Sequence, residues 1–290
     1  MRARSPDNAG FVTRDGLRIG YEVFGTGDPT ILLMPTWTII NSRFWKFQIP
    51  FLSRYYRVIT YDGPGNGRSD RSTDPDRYTA DAYAADAAAV LEGCGADRAI
   101  VVGLSLGAPY GLRLAALHPE MVAGLVFVGP ALPLTSPSPE RSAIAETYLE
   151  PYREDVEGWG KYNVAYWYDH YQDFAEFFFA ECFNEPHSTK AIDDSVGWAM
   201  ETGPEVLDAE GRRRPWGQGM AEEMLAGLRC PLLVVHGTDD QIHPHKTGSE
   251  AARLGGGSLL SLDGSGHLPN VRDPIVFNFA LRDFIEGVPV

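Results

Sequence analysis

The chain has 290 residues, 44% of them hydrophobic, which is enough to bury one large core or a core with a lid. Its net charge of −14 and pI near 4.9 argue against nucleic-acid binding, which needs a basic footprint. No apolar run approaches the roughly 20 residues that span a bilayer, and no signal peptide is visible. We therefore expect a cytoplasmic protein that binds neither nucleic acid nor membrane.

We interpret neither the cysteines nor the one close pair of histidines as a metal site. Cys94, Cys182 and Cys230 are few, odd in number and far apart, so we interpret them as free thiols in a reducing compartment. His243 and His245 have the His-x-His spacing of a metal site, but a loop crossing a sheet edge explains them better. We expect neither a metal nor a cofactor.

Strand-like and helical patterns alternate along most of the chain. An Asp-Gly turn at residues 15–16 predicts an N-terminal hairpin. Buried strands are predicted at residues 30–34, 57–61, 98–102, 122–128, 231–236 and 258–262. Helices are predicted at residues 79–91, 108–118, 247–254 and 273–285. This alternation is typical of βαβ units and a mostly parallel sheet.

The alternation breaks at residues 131–225, where no strand is predicted and aromatic side chains are concentrated. We interpret this segment as a helical cap inserted into a core formed by residues 1–130 and 226–290. Most of its aromatics must form the cap's own core, while Trp167 and Phe178 are assigned to an apolar substrate cavity. His187 could reach substrate from the cap, although helix-start chemistry explains it as well.

A candidate nucleophile lies in the pentapeptide GLSLG, residues 103–107, between a predicted strand and a predicted helix. Glycines on both sides let a tight turn close, and the turn presents the serine hydroxyl to the positive end of the helix. Ser105 is therefore the candidate nucleophile. A turn serine without a catalytic role is the alternative.

A candidate base and a candidate acid follow later strands at the same sheet edge. A serine hydroxyl needs a base to take its proton, and that base needs an acid to hold its tautomer. His267 follows the last strand, and Asp239 and Asp240 follow the strand before it. After the strand at residues 122–128 there is no carboxylate until Glu140, which favours the later position for the acid.

Together these segments closely resemble the α/β-hydrolase superfamily, over nearly the whole chain outside the cap. The matching segments are DGPGNGRS at residues 62–69, GLSLG at 103–107, GTDD at 237–240 and GH at 266–267. The resemblance implies an eight-stranded, mostly parallel sheet flanked by helices, with a Ser-Asp-His chain order for the triad. The family's Gly-x-x-Asp spacing assigns the acid to Asp240 rather than Asp239, and its Gly-His assigns the base to His267.

One segment departs from the family pattern. The family places His-Gly after its third strand, where this chain has Pro35 and Thr36, followed by Trp37. Proline has no amide to donate, so the oxyanion donor must come from Thr36 or Trp37. We assign it to Trp37, with the Leu106 amide as the second donor and Thr36 in substrate binding. Losing one donor costs other enzymes about 10²–10³ in rate, so the departure bears on activity.

The predicted activity is hydrolysis of a small carboxylic ester or lactone, uncharged and hydrophobic or aromatic, through an acyl-enzyme. C–C bond hydrolysis, perhydrolysis and acyl transfer would use the same triad. Dehalogenase and epoxide hydrolase activities are disfavoured, because such relatives carry aspartate where this chain has Ser105. A function of a different class is the alternative, namely a ligand-binding protein with little turnover. The departure from the family's His-Gly at Pro35 and Thr36 favours this alternative. The oligomeric state stays open.

Overall fold

The computed structural model describes residues 4–186, 188–217 and 219–289, so that His187 lies outside the described residues. The strands are β1 (Asn8–Arg14), β2 (Leu17–Phe24), β3 (Thr30–Leu33), β4 (Arg57–Tyr61), β5 (Ala99–Leu104), β6 (Val122–Val128), β7 (Leu232–Gly237) and β8 (Ser258–Leu262). The helices are α1 (Ile49–Leu52), α2 (Ala80–Gly93), α3 (Gly107–Leu117), α4 (Pro139–Ser142), α5 (Ile144–Thr147), α6 (Val164–Cys182), α7 (Thr189–Ala199), α8 (Pro204–Gly211), α9 (Met220–Ala226), α10 (His245–Leu254), α11 (Pro269–Arg272) and α12 (Pro274–Gly287). Short 3-10 helices cover Ser42–Trp45, Pro75–Tyr78, Pro119–Met121 and Gly158–Lys161.

The eight strands form one sheet in the order β1-β2-β4-β3-β5-β6-β7-β8. Strands β1 and β2 run antiparallel to their neighbours, and every pairing from β4 to β8 is parallel. The predicted mostly parallel, eight-stranded sheet is therefore confirmed. Since parallel strands end at the same edge, the loops after β5, β7 and β8 are brought together there.

Helices cover both faces of the central strands, which explains their continuous apolar sequences. Every residue of β5 and β6 is buried. Along β5, Ile100 and Val102 join the apolar cluster that contains α6 and α12, whereas Val101 joins the cluster that contains α2 and α3. This alternation follows from the two-residue period of a strand, and it gives each face of the sheet its own core.

Strand β5 runs two residues beyond its predicted end. Gly103 and Leu104 pair with Phe127 and Val128 of β6, so the ladder continues to the residue before Ser105. Glycine weakens a strand on its own, which is why the sequence pattern ends early. Pairing with β6 outweighs that preference here.

Between β6 and β7 the described residues contain helices and no strand. We call residues 131–225 the cap, and the division of the chain into core and cap stays a prediction. Buried cap side chains such as Phe174 and Phe178 belong to the same apolar cluster as Leu104 of β5. The cap therefore packs against the sheet edge where the candidate catalytic loops lie. Within the described ranges, no helix has the length and apolarity needed to cross a membrane.

Candidate active site

Ser105 lies on a sharp turn between β5 and α3, with a positive φ of 52°. A Cβ on Gly103 would lie 2.2 Å from the Gly107 carbonyl oxygen, and one on Gly107 would lie 2.6 Å from the Pro35 carbonyl oxygen. Only glycine fits at both positions without moving backbone. The Ser105 amide donates to the Val128 carbonyl at 2.9 Å, which ties the turn to β6. A positive φ at a non-glycine residue is strain of the kind that functional sites hold.

The loops after β7 and β8 bring Asp240 and His267 into contact. Asp240 Oδ2 accepts a hydrogen bond from His267 Nδ1 at 2.8 Å, and both side chains are buried. The other oxygen, Oδ1, accepts the backbone amides of Ile242 at 2.7 Å and His243 at 2.9 Å. Asp239 is exposed and instead offers its backbone carbonyl to neighbouring side chains. The structure thus places Asp240, not Asp239, against the histidine.

A second histidine, His236 at the end of β7, contacts the same carboxylate. Its Nε2 lies 2.9 Å from Asp240 Oδ2 and 3.1 Å from the His243 carbonyl oxygen. Because a carbonyl only accepts, Nε2 is the protonated nitrogen of His236. This partner was not predicted, since nothing in the sequence distinguishes a strand-end histidine that points at the acid from one that only packs.

These contacts keep Asp240 ionised. Burial alone would raise the pKa of its carboxyl, but the charge of His267 and the hydrogen bonds from His236 and His267 outweigh burial. The pKa of Asp240 therefore lies well below its ordinary value. An ionised carboxylate fixes the proton of His267 on Nδ1, which leaves Nε2 as the free basic nitrogen.

Ser105 and His267 line one cavity of about 480 Å³ between the sheet edge and the cap. In the described part of the chain, no hydrogen bond joins the Ser105 hydroxyl to His267. Such contacts are often long in unliganded sites and tighten when substrate binds. A single substrate bound in this cavity would therefore contact both the Ser105 hydroxyl and the His267 imidazole.

The two candidate oxyanion donors also lie at this cavity. Trp37 and Leu106 line it, and neither backbone amide donates a hydrogen bond to another described residue. Thr36 lines it too, although its hydroxyl donates to the Leu104 carbonyl at 3.0 Å. The Thr36 hydroxyl is therefore already engaged with the end of β5, while the amides of Trp37 and Leu106 are available.

The buried Glu210 of α8 holds the Trp37 side chain. The indole Nε1 of Trp37 donates to Glu210 Oε2 at 3.3 Å, and Glu210 forms an ion pair with Arg213. On its other side the indole contacts the Phe178 ring, with 4.3 Å between ring centroids. Two cap residues thus contact the side chain of Trp37, whose backbone amide is a candidate oxyanion donor.

The cap also binds the loop that carries the histidine. The Cys182 carbonyl accepts the His267 amide at 3.2 Å, and Glu185 Oε1 accepts the Gly266 amide at 2.5 Å. Asn184 Nδ2 donates to the Asp239 carbonyl at 3.0 Å in the neighbouring loop. These three contacts were not predicted, because they join residues about 80 and 55 positions apart with no local pattern.

Of the two aromatic residues assigned to the cavity, the structure places one there. Phe178 lines the cavity, but Trp167 is not among the described residues that line it. Trp167 is 1% exposed and packs against the rings of Tyr148, Tyr162 and Phe174 inside the cap. That assignment was wrong because helix α6 is buried on more than one side, so its aromatic spacing does not reveal which side faces substrate.

Three known proteins illustrate the relationships of the chain. It is 32% identical over 250 residues to a non-heme haloperoxidase of Rhodococcus erythropolis, covering 83% of this chain and 86% of that protein. It is 28% identical to RutD of Caulobacter segnis, whose name proposes carbamate hydrolysis, covering 95% of this chain and 98% of that protein. Among solved structures, the esterase RhEst1 of Rhodococcus sp. ECU1013 matches with a TM-score of 0.75 and 28% identity, covering 96% and 98% of the two chains.

The match to a protein family agrees with the sheet order and with the turn at Ser105. The family model described as the alpha/beta hydrolase fold matches residues 29–274, which include β3 to β8 and all of the cap. The chain therefore belongs to the alpha/beta hydrolase family.

Proposed function

We propose that the protein is a serine hydrolase that cleaves a carboxylic ester or lactone with a hydrophobic or aromatic part. The observation that carries the proposal is the buried hydrogen bond between Asp240 and His267 at the cavity that also exposes Ser105. A buried carboxylate that orients a histidine beside a serine on a strained turn is the arrangement that activates a serine hydroxyl.

In the proposed reaction the Ser105 hydroxyl oxygen attacks the acyl carbon while His267 Nε2 takes its proton. The amides of Trp37 and Leu106 stabilise the negative charge on the tetrahedral intermediate. His267 then protonates the leaving alcohol, and the C–O bond breaks to give an acyl-enzyme. A water molecule attacks that ester as His267 removes its proton, which releases the carboxylic acid and restores Ser105.

The character of the cavity supports a substrate with an apolar part. Trp37, Phe178 and Phe179 contribute to its wall from both the core and the cap. The similarity to an esterase supports ester cleavage, and the similarity to RutD is compatible with it because a carbamate presents the same kind of carbonyl. We also propose a cytoplasmic location, which the free thiols of Cys94, Cys182 and Cys230 support.

A perhydrolase is the second candidate, because one of the relatives is named a haloperoxidase. In that reaction hydrogen peroxide instead of water attacks the acyl-enzyme, and the product is a peroxy acid. The same residues would serve both reactions. The two functions differ only in which nucleophile enters the cavity at the second step.

The proposal is tested by a panel of p-nitrophenyl esters, aryl and alkyl lactones and a phenyl carbamate, with Ser105→Ala as the control. We expect turnover of esters or lactones by the wild type and loss of it in the variant. Peroxy acid formed at the expense of carboxylic acid, when peroxide is added, would favour the perhydrolase. Tight retention of a panel compound by folded protein without turnover would overturn both and support a binding function.

A further inference from the structure

Among the residues that the structure describes, four cationic side chains line the cavity, and three of them have carboxylate partners. The pairs are Lys46 with Asp194, Arg213 with Glu210, and Arg214 with Asp76. Arg141 is the fourth, and among the described residues no carboxylate lies within ion-pair distance of it. One positive charge at the cavity is therefore left for a ligand to neutralise.

The Arg141 guanidinium is held in place without being hydrogen-bonded. It lies over the Trp159 ring, with 5.0 Å between the guanidinium carbon and the ring centroid. Its Nε is buried and has no hydrogen-bond partner in the described part of the chain. An indole ring attracts a cation but offers no conventional acceptor, so the guanidinium is positioned while its N–H donors stay available.

Arg141 shares the cavity with His267, the candidate base. The rings of His243 and His267 are 5.6 Å apart, and His243 and Arg141 both line the cavity. Burial lowers the pKa of His243 well below its ordinary value, and electrostatic interactions with His267 and Arg141 lower it further. Arg141 and the candidate base therefore line the same space of about 480 Å³, so one bound molecule can contact both.

We propose that Arg141 binds a carboxylate of the substrate, so that the preferred substrates are esters that carry one carboxylate besides the bond to be cleaved. This inference rests on the proposed function and specifies its substrate class. A planar guanidinium matches a carboxylate in a bidentate pair, which gives orientation as well as attraction. A single unpaired cation matches one negative charge better than the two of a phosphate monoester.

The inference revises the expectation of an uncharged substrate. That expectation came from the net charge of −14 and the aromatic content of the cap, which describe the whole chain and not the cavity. The overall field weakly repels anions, but an unpaired arginine at short range outweighs it, because distant surface charges are screened beyond about 10 Å.

The test compares monomethyl esters of succinic, glutaric, adipic and suberic acids with methyl esters in which an isopropyl group replaces the carboxylate. Monomethyl adipate and methyl 6-methylheptanoate form one such pair of nearly equal shape. We expect kcat/KM, followed by acid release, to favour the charged ester by about ten- to a hundredfold at the best chain length. In Arg141→Met the ratio should fall to near one, and Arg141→Lys should keep part of it.

Arg214→Met is the matched control, since Arg214 lines the same cavity but its side chain is 80% exposed. We expect it to leave the charged-to-neutral ratio unchanged. A wild-type ratio near one, or a ratio that survives in Arg141→Met, would overturn the inference while ester turnover kept the proposed function standing.

Binding measurements with a variant that lacks the nucleophile test the role of Arg141 independently of turnover. Calorimetry with Ser105→Ala should show monomethyl adipate binding at least tenfold more tightly than methyl 6-methylheptanoate, and the double variant Ser105→Ala/Arg141→Met should lose that difference. Equal binding of the two esters would contradict the inference. Preferential binding in a wild type that turns over no ester would sustain carboxylate binding by Arg141 and overturn the proposed function.

Discussion

The strand ends of the sheet and the cap contribute to the cavity in different ways. At the strand ends, Ser105, Asp240 and His267 lie on loops whose positions follow from the sheet order and register. In the cap, Glu185 and Glu210 act through side chains that reach across to those loops and to Trp37. The core thus carries the proposed catalytic groups. The cap carries side chains that would position those groups and select the substrate.

This difference implies a ranking of effects. In the proposed mechanism, removing a strand-end group removes the nucleophile, the base or the acid that orients the base, whereas removing a cap contact leaves all three present but less well held. Substitutions at the strand ends should therefore lower the turnover far more than substitutions in the cap.

The largest effect is expected for Ser105→Ala and His267→Ala. Loss of either the nucleophile or the base should lower kcat for the best ester by about 10⁵–10⁶-fold. The double variant should be no worse than either single one, because the two residues act as a unit. Steady-state kinetics with freshly purified, folded protein would check this, and a fall of less than tenfold in either variant would break the assignment.

Asp240→Asn is expected to come next, with kcat lower by about 10⁴-fold, because an amide favours the wrong tautomer of His267. Asp239→Asn is the matched control, one position away and exposed, and should change kcat less than about twofold. Equal losses in the two variants would contradict the placement of the acid at Asp240.

Glu210→Gln tests whether the cap positions Trp37. We expect kcat to fall by about tenfold with little change in KM, because a displaced oxyanion donor weakens only the transition state. Glu205→Gln on the same helix is exposed and should have no such effect. A change confined to KM, or equal effects in the two variants, would mean that Glu210 only supports the fold.

Glu185→Ala should have the smallest effect on rate and a clear effect on stability. It leaves the buried Gly266 amide without its acceptor, which costs about 1–3 kcal/mol in the free energy of unfolding. Denaturant unfolding would measure this, with the exposed Glu176→Ala of helix α6 as the control. An unchanged free energy of unfolding would show that this contact does not hold the histidine loop.

The sequence predicted the strand ends well for a physical reason. Buried parallel strands have continuous apolar runs, and the turns after them need particular residues, as at Gly103 and Gly107. Both signals are local, so the order of the strands along the chain and the placement of Ser105 and His267 in the loops after them could be predicted from the sequence. Only strand bounds shifted, as at the end of β5, where pairing with β6 outweighs the low strand preference of glycine.

The contacts of the cap could not be predicted from the sequence, because they join residues that are far apart along the chain. The lack of strand patterns and the concentration of aromatic residues indicated a helical cap, but they could not tell that Trp167 packs inside the cap while Phe178 faces the cavity. The partners Glu210 and Trp37 are 173 positions apart, and the freedom of Arg141 depends on where every carboxylate around it points. Such features appear only once the helices are packed.

Covalent labelling with a fluorophosphonate tests the claim that Ser105 is a nucleophile activated by His267. The wild-type protein should be labelled at Ser105 alone, located by mass spectrometry of its peptides. Labelling should be absent in Ser105→Ala and at least about a hundredfold slower in His267→Ala, because the hydroxyl then lacks its base. Folded wild-type protein that resists the reagent, or labelling that is equally fast without His267, would contradict the claim.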